Sequence, residues 1–172
     1  MNVQDMKCVA SIGGGVIGSS WTLLFAMRGL KVWQYDINQE QIDNCVKNVE
    51  RSIESLLEFG AIQADQADAI KSRISYTTSI AEAVKDAQFI QENGPERLPV
   101  KQSILAEIEA AAPADAIYAS SSSGLLISDV TANAVHPERC VGGHPYNPPH
   151  LIPLVEITYS DRTAQSSVQL AK

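Results

Sequence analysis

Short apolar runs and longer stretches with helical spacing alternate through the first two thirds of the chain. KCVASI (7–12) is a brief apolar run with β-branched residues and predicts a strand. VIGSSWTLLFAMRG then shows helical apolar spacing and ends at Gly29, a C-cap candidate. KVWQYD (31–36) predicts a second strand. Asn38 can cap a long helix whose apolar stripe runs through Ile42, Cys45, Val49, Ile53, Leu56 and Leu57, with Gly60 as its stop. A shorter helix is expected near ADQADAIKSRI. ISYT, AQFIQE and AIYASS predict further strands, with helices over 79–86 and 98–111 and Pro113 ending the second.

This alternation from residue 7 to residue 120 predicts an α/β fold: a Rossmann-type doubly wound, mostly parallel sheet with helices on both faces. From 124 onward the pattern changes to short strands near 139–143 and 153–158, a Pro-rich loop and a polar segment that begins a helix. No repeat or interdomain linker interrupts the chain, and 172 residues suit one domain. The net charge of −7 repels a phosphate backbone, which argues against nucleic-acid binding. No apolar stretch approaches the roughly 20 residues of a membrane span. The first residues show no basic segment ahead of an apolar run, so no signal peptide is expected. Cys8, Cys45 and Cys140 are far apart and odd in number, as for buried thiols in a reducing, cytoplasmic setting. They and His136 and His150 lack metal-ligand spacing, so no metal is expected.

Gly13, Gly15 and Gly18 make G-x-G-x-x-G between a predicted strand and a predicted helix. The first glycine allows the turn, the second lets a pyrophosphate approach, and the third lets helix and strand pack closely. Val16 and Ile17 lie in the first helical turn, where free N–H groups favour phosphate. Asp36 ends the second strand at the distance expected of a ribose-binding carboxylate. Its charge would repel a 2′-phosphate, and the following INQE supplies no cation, so NAD is expected over NADP.

Two further constellations follow predicted strands, where a doubly wound sheet binds its ligands. ASSSSG (119–124) offers hydroxyls, and GGHPYNPP holds His144 in a stiff loop. Oxidising an alcohol requires a base for the hydroxyl proton, and histidine has a suitable pKa. Glu156, twelve positions later, is expected as a nearly buried acid in an apolar strand that needs a partner, with His144 available. A purely structural histidine would also suit so stiff a loop.

The segments IGGGVIGSSW, YDIN, IQENGPERLPVKQ, ASSSSGL and HPERCVGGHPYNPPHLIPLVEI together resemble the NAD-binding domain of the 3-hydroxyacyl-CoA dehydrogenase family. The resemblance covers essentially all of residues 1–172. It implies that His144 abstracts a proton, Glu156 orients it and Ser123 hydrogen-bonds the reacting oxygen. It also implies that Asn147 lies near the nicotinamide, and that Glu96 and Lys101 contact the cofactor. The position of a lysine used by CoA-dependent members falls on Phe59, after Ser52 at the position of a CoA-contacting serine. The wording is more similar to the branch of lambda-crystallin/L-gulonate 3-dehydrogenase and L-carnitine 3-dehydrogenase. The expected activity is therefore NAD-dependent oxidation of the 3-hydroxyl of a small 3-hydroxy acid or carnitine-like substrate. Alternatives are a 3-hydroxyacyl-CoA dehydrogenase of fatty-acid oxidation and a non-catalytic, crystallin-like NAD-binding module. The resemblance further implies that the intact protein continues past Lys172 into a helical domain, through which it forms a homodimer.

Overall fold

In the computed structural model, which describes residues 3–172, the chain forms β1 (Cys8–Ile12), α1 (Val16–Met27), β2 (Lys31–Tyr35), α2 (Gln39–Glu58), α3 (Ala64–Lys71) and β3 (Ile74–Thr77). It continues through α4 (Ile80–Val84), β4 (Phe89–Glu92), α5 (Leu98–Glu109), β5 (Ile117–Ser120) and α6 (Ile127–Val130). It closes with β6 (Cys140–Pro145), β7 (Val155–Thr158) and α7 (Gln165–Ala171). The strands make one sheet in the order β3-β2-β1-β4-β5-β6-β7. All pairs are parallel except β6 with β7, which run antiparallel. The chain thus starts at the middle, builds outward to β3 and returns to build the other half. That reversal opens a crevice between the carboxyl ends of β1 and β4.

Alternation along β1 divides the core. Val9 packs with Leu23, Val32, Val49 and Ile53 on one face of the sheet. Ala10 and Ile12 pack with Ile80, Val84, Leu105 and Ile108 on the other. Both faces are covered, which is why the parallel strands read as continuous apolar runs rather than alternating ones. The Asn38 side chain accepts from the Gln41 N–H at 2.9 Å and caps α2 as expected. Gly60, at φ +67°, follows its end. Ile42, Cys45, Val49, Ile53 and Leu56 form the buried stripe; Leu57 stands off it at 37% exposure, and Phe59 is 85% exposed. Burial pushes the Cys45 and Cys140 thiols up to about 12. Cys8 is partly buried, and all three are free of disulfides. Among the described residues no helix is long and apolar enough to cross a membrane.

Ile53 is 1% exposed and sits where α2 meets the sheet. Replacing it with alanine should lower the unfolding free energy by about 2–5 kcal/mol, through lost burial and the cavity left behind. Phe59→Ala, at a solvent-facing position, should change it by no more than about 0.5 kcal/mol. Urea unfolding of both variants checks the contrast.

Candidate active site

The turn after β1 is set by contact between two of its glycines. A Cβ placed on Gly18 would lie 1.7 Å from the Gly13 carbonyl oxygen, so only glycine lets α1 start this close to the strand. Gly13 itself takes φ +95°. Gly15 is different: a Cβ there would meet nothing within 4 Å. Its bareness therefore serves no packing inside the protein and leaves room for a ligand. No side chain caps α1, and Val16, Ile17 and Gly18 begin it, so their N–H groups have no partner within the helix. Opposite them stands Asp36, whose Oδ2 accepts from the Gly14 N–H at 2.6 Å and Oδ1 from the Ile37 N–H at 2.7 Å. These bonds aim the carboxylate while leaving lone pairs for ribose hydroxyls. The cleft measures about 720 Å³ and is lined by Gly13, Gly15, Asp36, Asn93, Gly94 and Pro95, among others. No lysine or arginine lines it among the described residues. Glycine turn, bare helix end and carboxylate fit a dinucleotide without a 2′-phosphate.

Behind this cleft, β4 ends in a carboxylate with no exposure. Both Glu92 oxygens accept from Lys101 Nζ, at 3.0 and 2.9 Å. Ser120 Oγ (2.7 Å), Tyr118 Oη (3.2 Å) and the Gly94 N–H (2.6 Å) also donate to it. Lys101 is 1% exposed and donates as well to the Gly94 carbonyl at 3.2 Å. The resemblance implied that Lys101 contacts the cofactor. In the structure its ammonium lies beneath the cleft, where the desolvated Glu92 needs its charge. Glu96 lies above it, with Oε2 at 3.7 Å from Lys101 Nζ. Burial pushes the Glu96 carboxyl up, but the Ser122 hydroxyl, the Gly124 N–H and the Lys101 charge outweigh it, and the net shift is downward.

His144 and Glu156 are direct cross-strand partners in the antiparallel β6–β7 pair. Their Nδ1 and Oε2 atoms lie 3.1 Å apart. Beside a carboxylate, which only accepts, the neutral ring carries its proton on Nδ1 and leaves the lone pair of Nε2 free. Ser123 lines the same pocket of about 220 Å³, with Ser122, Thr158 and Tyr159 nearby. Glu156 was expected to be nearly buried; its side chain is 56% exposed. The reason is that β7 is an edge strand, and the face carrying Glu156 opens onto this pocket instead of the core. Asn147 is exposed in the loop after β6. His150, in that same loop, shares a 2.6 Å hydrogen bond between Nδ1 and Ser20 Oγ, which fastens the loop to α1. Burial lowers the His150 pKa.

Sequence reasoning missed Glu92 and a buried amide network. Asn93 donates to Ser11 Oγ at 3.2 Å and accepts from Ser121 Oγ at 2.6 Å, while Gln91 donates to Ser121 at 2.8 Å and to the Gly143 carbonyl at 3.2 Å. The signal was available in FIQEN: polar side chains inside an apolar central strand require buried partners.

Residues 8–172 match the family model described as 3-hydroxyacyl-CoA dehydrogenase, NAD binding domain. An L-carnitine dehydrogenase from a Pseudomonas species is 42% identical over 173 residues, which is 99% of this chain and 52% of that protein. The human lambda-crystallin homolog is 40% identical over 162 residues, 94% of this chain and 51% of its own length. The chain thus spans about half the length of the curated relatives it matches. The structure of 3-hydroxybutyryl-CoA dehydrogenase from Escherichia coli superposes with a TM-score of 0.92 at 27% identity, covering 97% of this chain and 35% of that one.

The two glycine environments separate by mutation. Gly15→Ala should fold with wild-type stability yet bind NADH weakly, because its methyl group fills only the cleft. Gly18→Ala should lose both stability and binding. Thermal unfolding paired with NADH fluorescence titration distinguishes them; a Gly15→Ala protein that binds NADH normally would remove the ligand from this turn.

Proposed function

The chain belongs to the 3-hydroxyacyl-CoA dehydrogenase family as its NAD-binding domain, and from that premise we propose that the intact protein oxidises the 3-hydroxyl of a small, free 3-hydroxy substrate of the carnitine type. Such a reaction divides the H–O–C–H unit into a proton and a hydride. NAD, when bound, accepts the hydride. Nε2 of His144 takes the hydroxyl proton, and Glu156 stabilises the imidazolium while holding the ring in its working tautomer. Ser123 Oγ donates a hydrogen bond to the reacting oxygen, and Asn147 offers an amide at the nicotinamide side. The observation that carries this reading is the His144–Glu156 pair at 3.1 Å, in one pocket with Ser123.

A free substrate is favoured over a CoA thioester on two grounds besides the carnitine dehydrogenase relatives. The end of α2 presents Phe59, exposed and uncharged, where a phosphate-bearing group would need a cation. The pocket holding His144 has no lysine or arginine in its wall among the described residues. The likeness to 3-hydroxybutyryl-CoA dehydrogenase keeps the thioester as the second reading. An intact Ser123, His144 and Glu156 set speaks against a purely structural, crystallin-like role.

With the intact protein, NADH formation should be seen with L-carnitine or L-gulonate and be weaker with 3-hydroxybutyryl-CoA. His144→Gln should cost about 10²–10⁴-fold in kcat and leave NADH affinity unchanged. Glu156→Gln should also lower kcat without weakening NADH binding. Turnover surviving His144→Gln would remove the proposed base. Equal affinity for NADPH and NADH would remove the role given to Asp36.

A further inference from the structure

The side chain that must meet the substrate oxygen, Ser123, is exposed, and its hydroxyl has no partner among the described residues. Its position is therefore set through its backbone. The turn carrying it is held from two points. At its start, the Ser122 N–H donates to Ser120 Oγ at 3.3 Å, and Ser120 Oγ donates to the buried Glu92. At its crest, a single carboxylate oxygen of Glu96 accepts from Ser122 Oγ at 2.6 Å, from the Gly124 N–H at 2.9 Å and from the Ser123 N–H at 3.1 Å. The other oxygen of Glu96 faces Lys101 Nζ, which is itself clamped by Glu92.

We propose that Glu96 is a positioning residue: anchored by Lys101, its carboxylate fixes the Ser122–Gly124 turn so that Ser123 stands opposite His144. This rests on the reading that Ser123 and His144 act on one substrate oxygen. It adds to the role that the family resemblance implies for Glu96, contact with the cofactor. A glutamate 43% exposed would ordinarily sweep through many rotamers. Here three donors converge on one oxygen and a cation faces the other, so the side chain acts as a strut between the β4–α5 loop and the β5–α6 loop. Because Gly94 and Pro95 of the same β4–α5 loop line the dinucleotide cleft, the strut ties the wall of that cleft to the serine turn.

The test uses Glu96→Ala and Glu96→Gln in the intact protein, each checked by thermal unfolding. Amide hydrogen exchange over residues 121–126 reads the strut directly and does not depend on turnover. In Glu96→Ala, the Ser123 and Gly124 amides should lose protection. The value of kcat should fall by about 10²-fold, the size of effect that a misplaced reacting geometry produces. Reading kcat at saturating NADH separates this loss from any change in NADH affinity. Glu96→Gln keeps an acceptor oxygen and should restore both protection and most of kcat, which a simple charge requirement would not allow. Unchanged protection in Glu96→Ala overturns the proposal. So does a loss of NADH affinity with kcat intact at saturating NADH, which would make cofactor contact the whole contribution of Glu96. If the wild-type protein oxidises no 3-hydroxy compound, the functional reading fails, and the exchange measurement alone still decides whether Glu96 holds the turn.

Discussion

The ion pair between Glu92 and Lys101 holds the two halves of the site at one point. Burying two charges costs several kcal/mol per ion unless every lone pair and proton finds a partner. Here the partners are near complete: Tyr118, Ser120 and the Gly94 N–H complete the carboxylate, and the Gly94 carbonyl takes a further proton of the ammonium. Burial and the adjacent Glu92 hold the Tyr118 hydroxyl well above its usual range, so it stays protonated as a donor. The pair sits at the carboxyl end of β4, beside the reversal of strand order. One side of it fixes Gly94 against the dinucleotide cleft, and the other fixes Ser120 at the root of the serine turn. Cleft wall and serine turn are thus referenced to the same buried charge.

Around that point the glycine loop divides its work. Gly13 and Gly18 serve the protein, since their backbones touch and no side chain fits between them. Gly15 serves whatever lies in the cleft, since nothing of the protein comes near it. The amide network running from Gln91 through Ser121 and Asn93 to Ser11 then joins this loop to β5 and β6. His150 ties the loop beyond His144 back to α1. Helix α1 and the imidazole loop are thus fastened through residues 130 apart in sequence, by two hydrogen bonds between Ser20 Oγ and His150, one to Nδ1 and one from the backbone N–H.

Much of this was legible in the chain. The strand–helix alternation carries its own period, and the glycine spacing has a mechanism, so fold and cleft follow from local pattern. The pairing of His144 with Glu156 was anticipated, but the reason offered for it was not the right one. Burial was expected to force the pair together; the edge strand instead leaves Glu156 open and brings it to His144 by register. Lys101 was named only as a cofactor contact that the resemblance implies, and its burial against Glu92 was not foreseen. Helix α6, four residues long, is too short to show a period. What escaped was long-range: which polar side chain of a central strand meets which loop.

The cross-strand opposition of His144 and Glu156 also bears on how this part of the molecule can diverge. Their separation is dictated by the ladder of backbone bonds, not by the number of residues in the connection between them. Insertions or deletions within residues 146–154 would leave the dyad intact as long as the same rungs pair. A slip of a single rung would throw one member of the dyad to the opposite side of the sheet. The connection can therefore change in length without moving the two rungs that set His144 opposite Glu156.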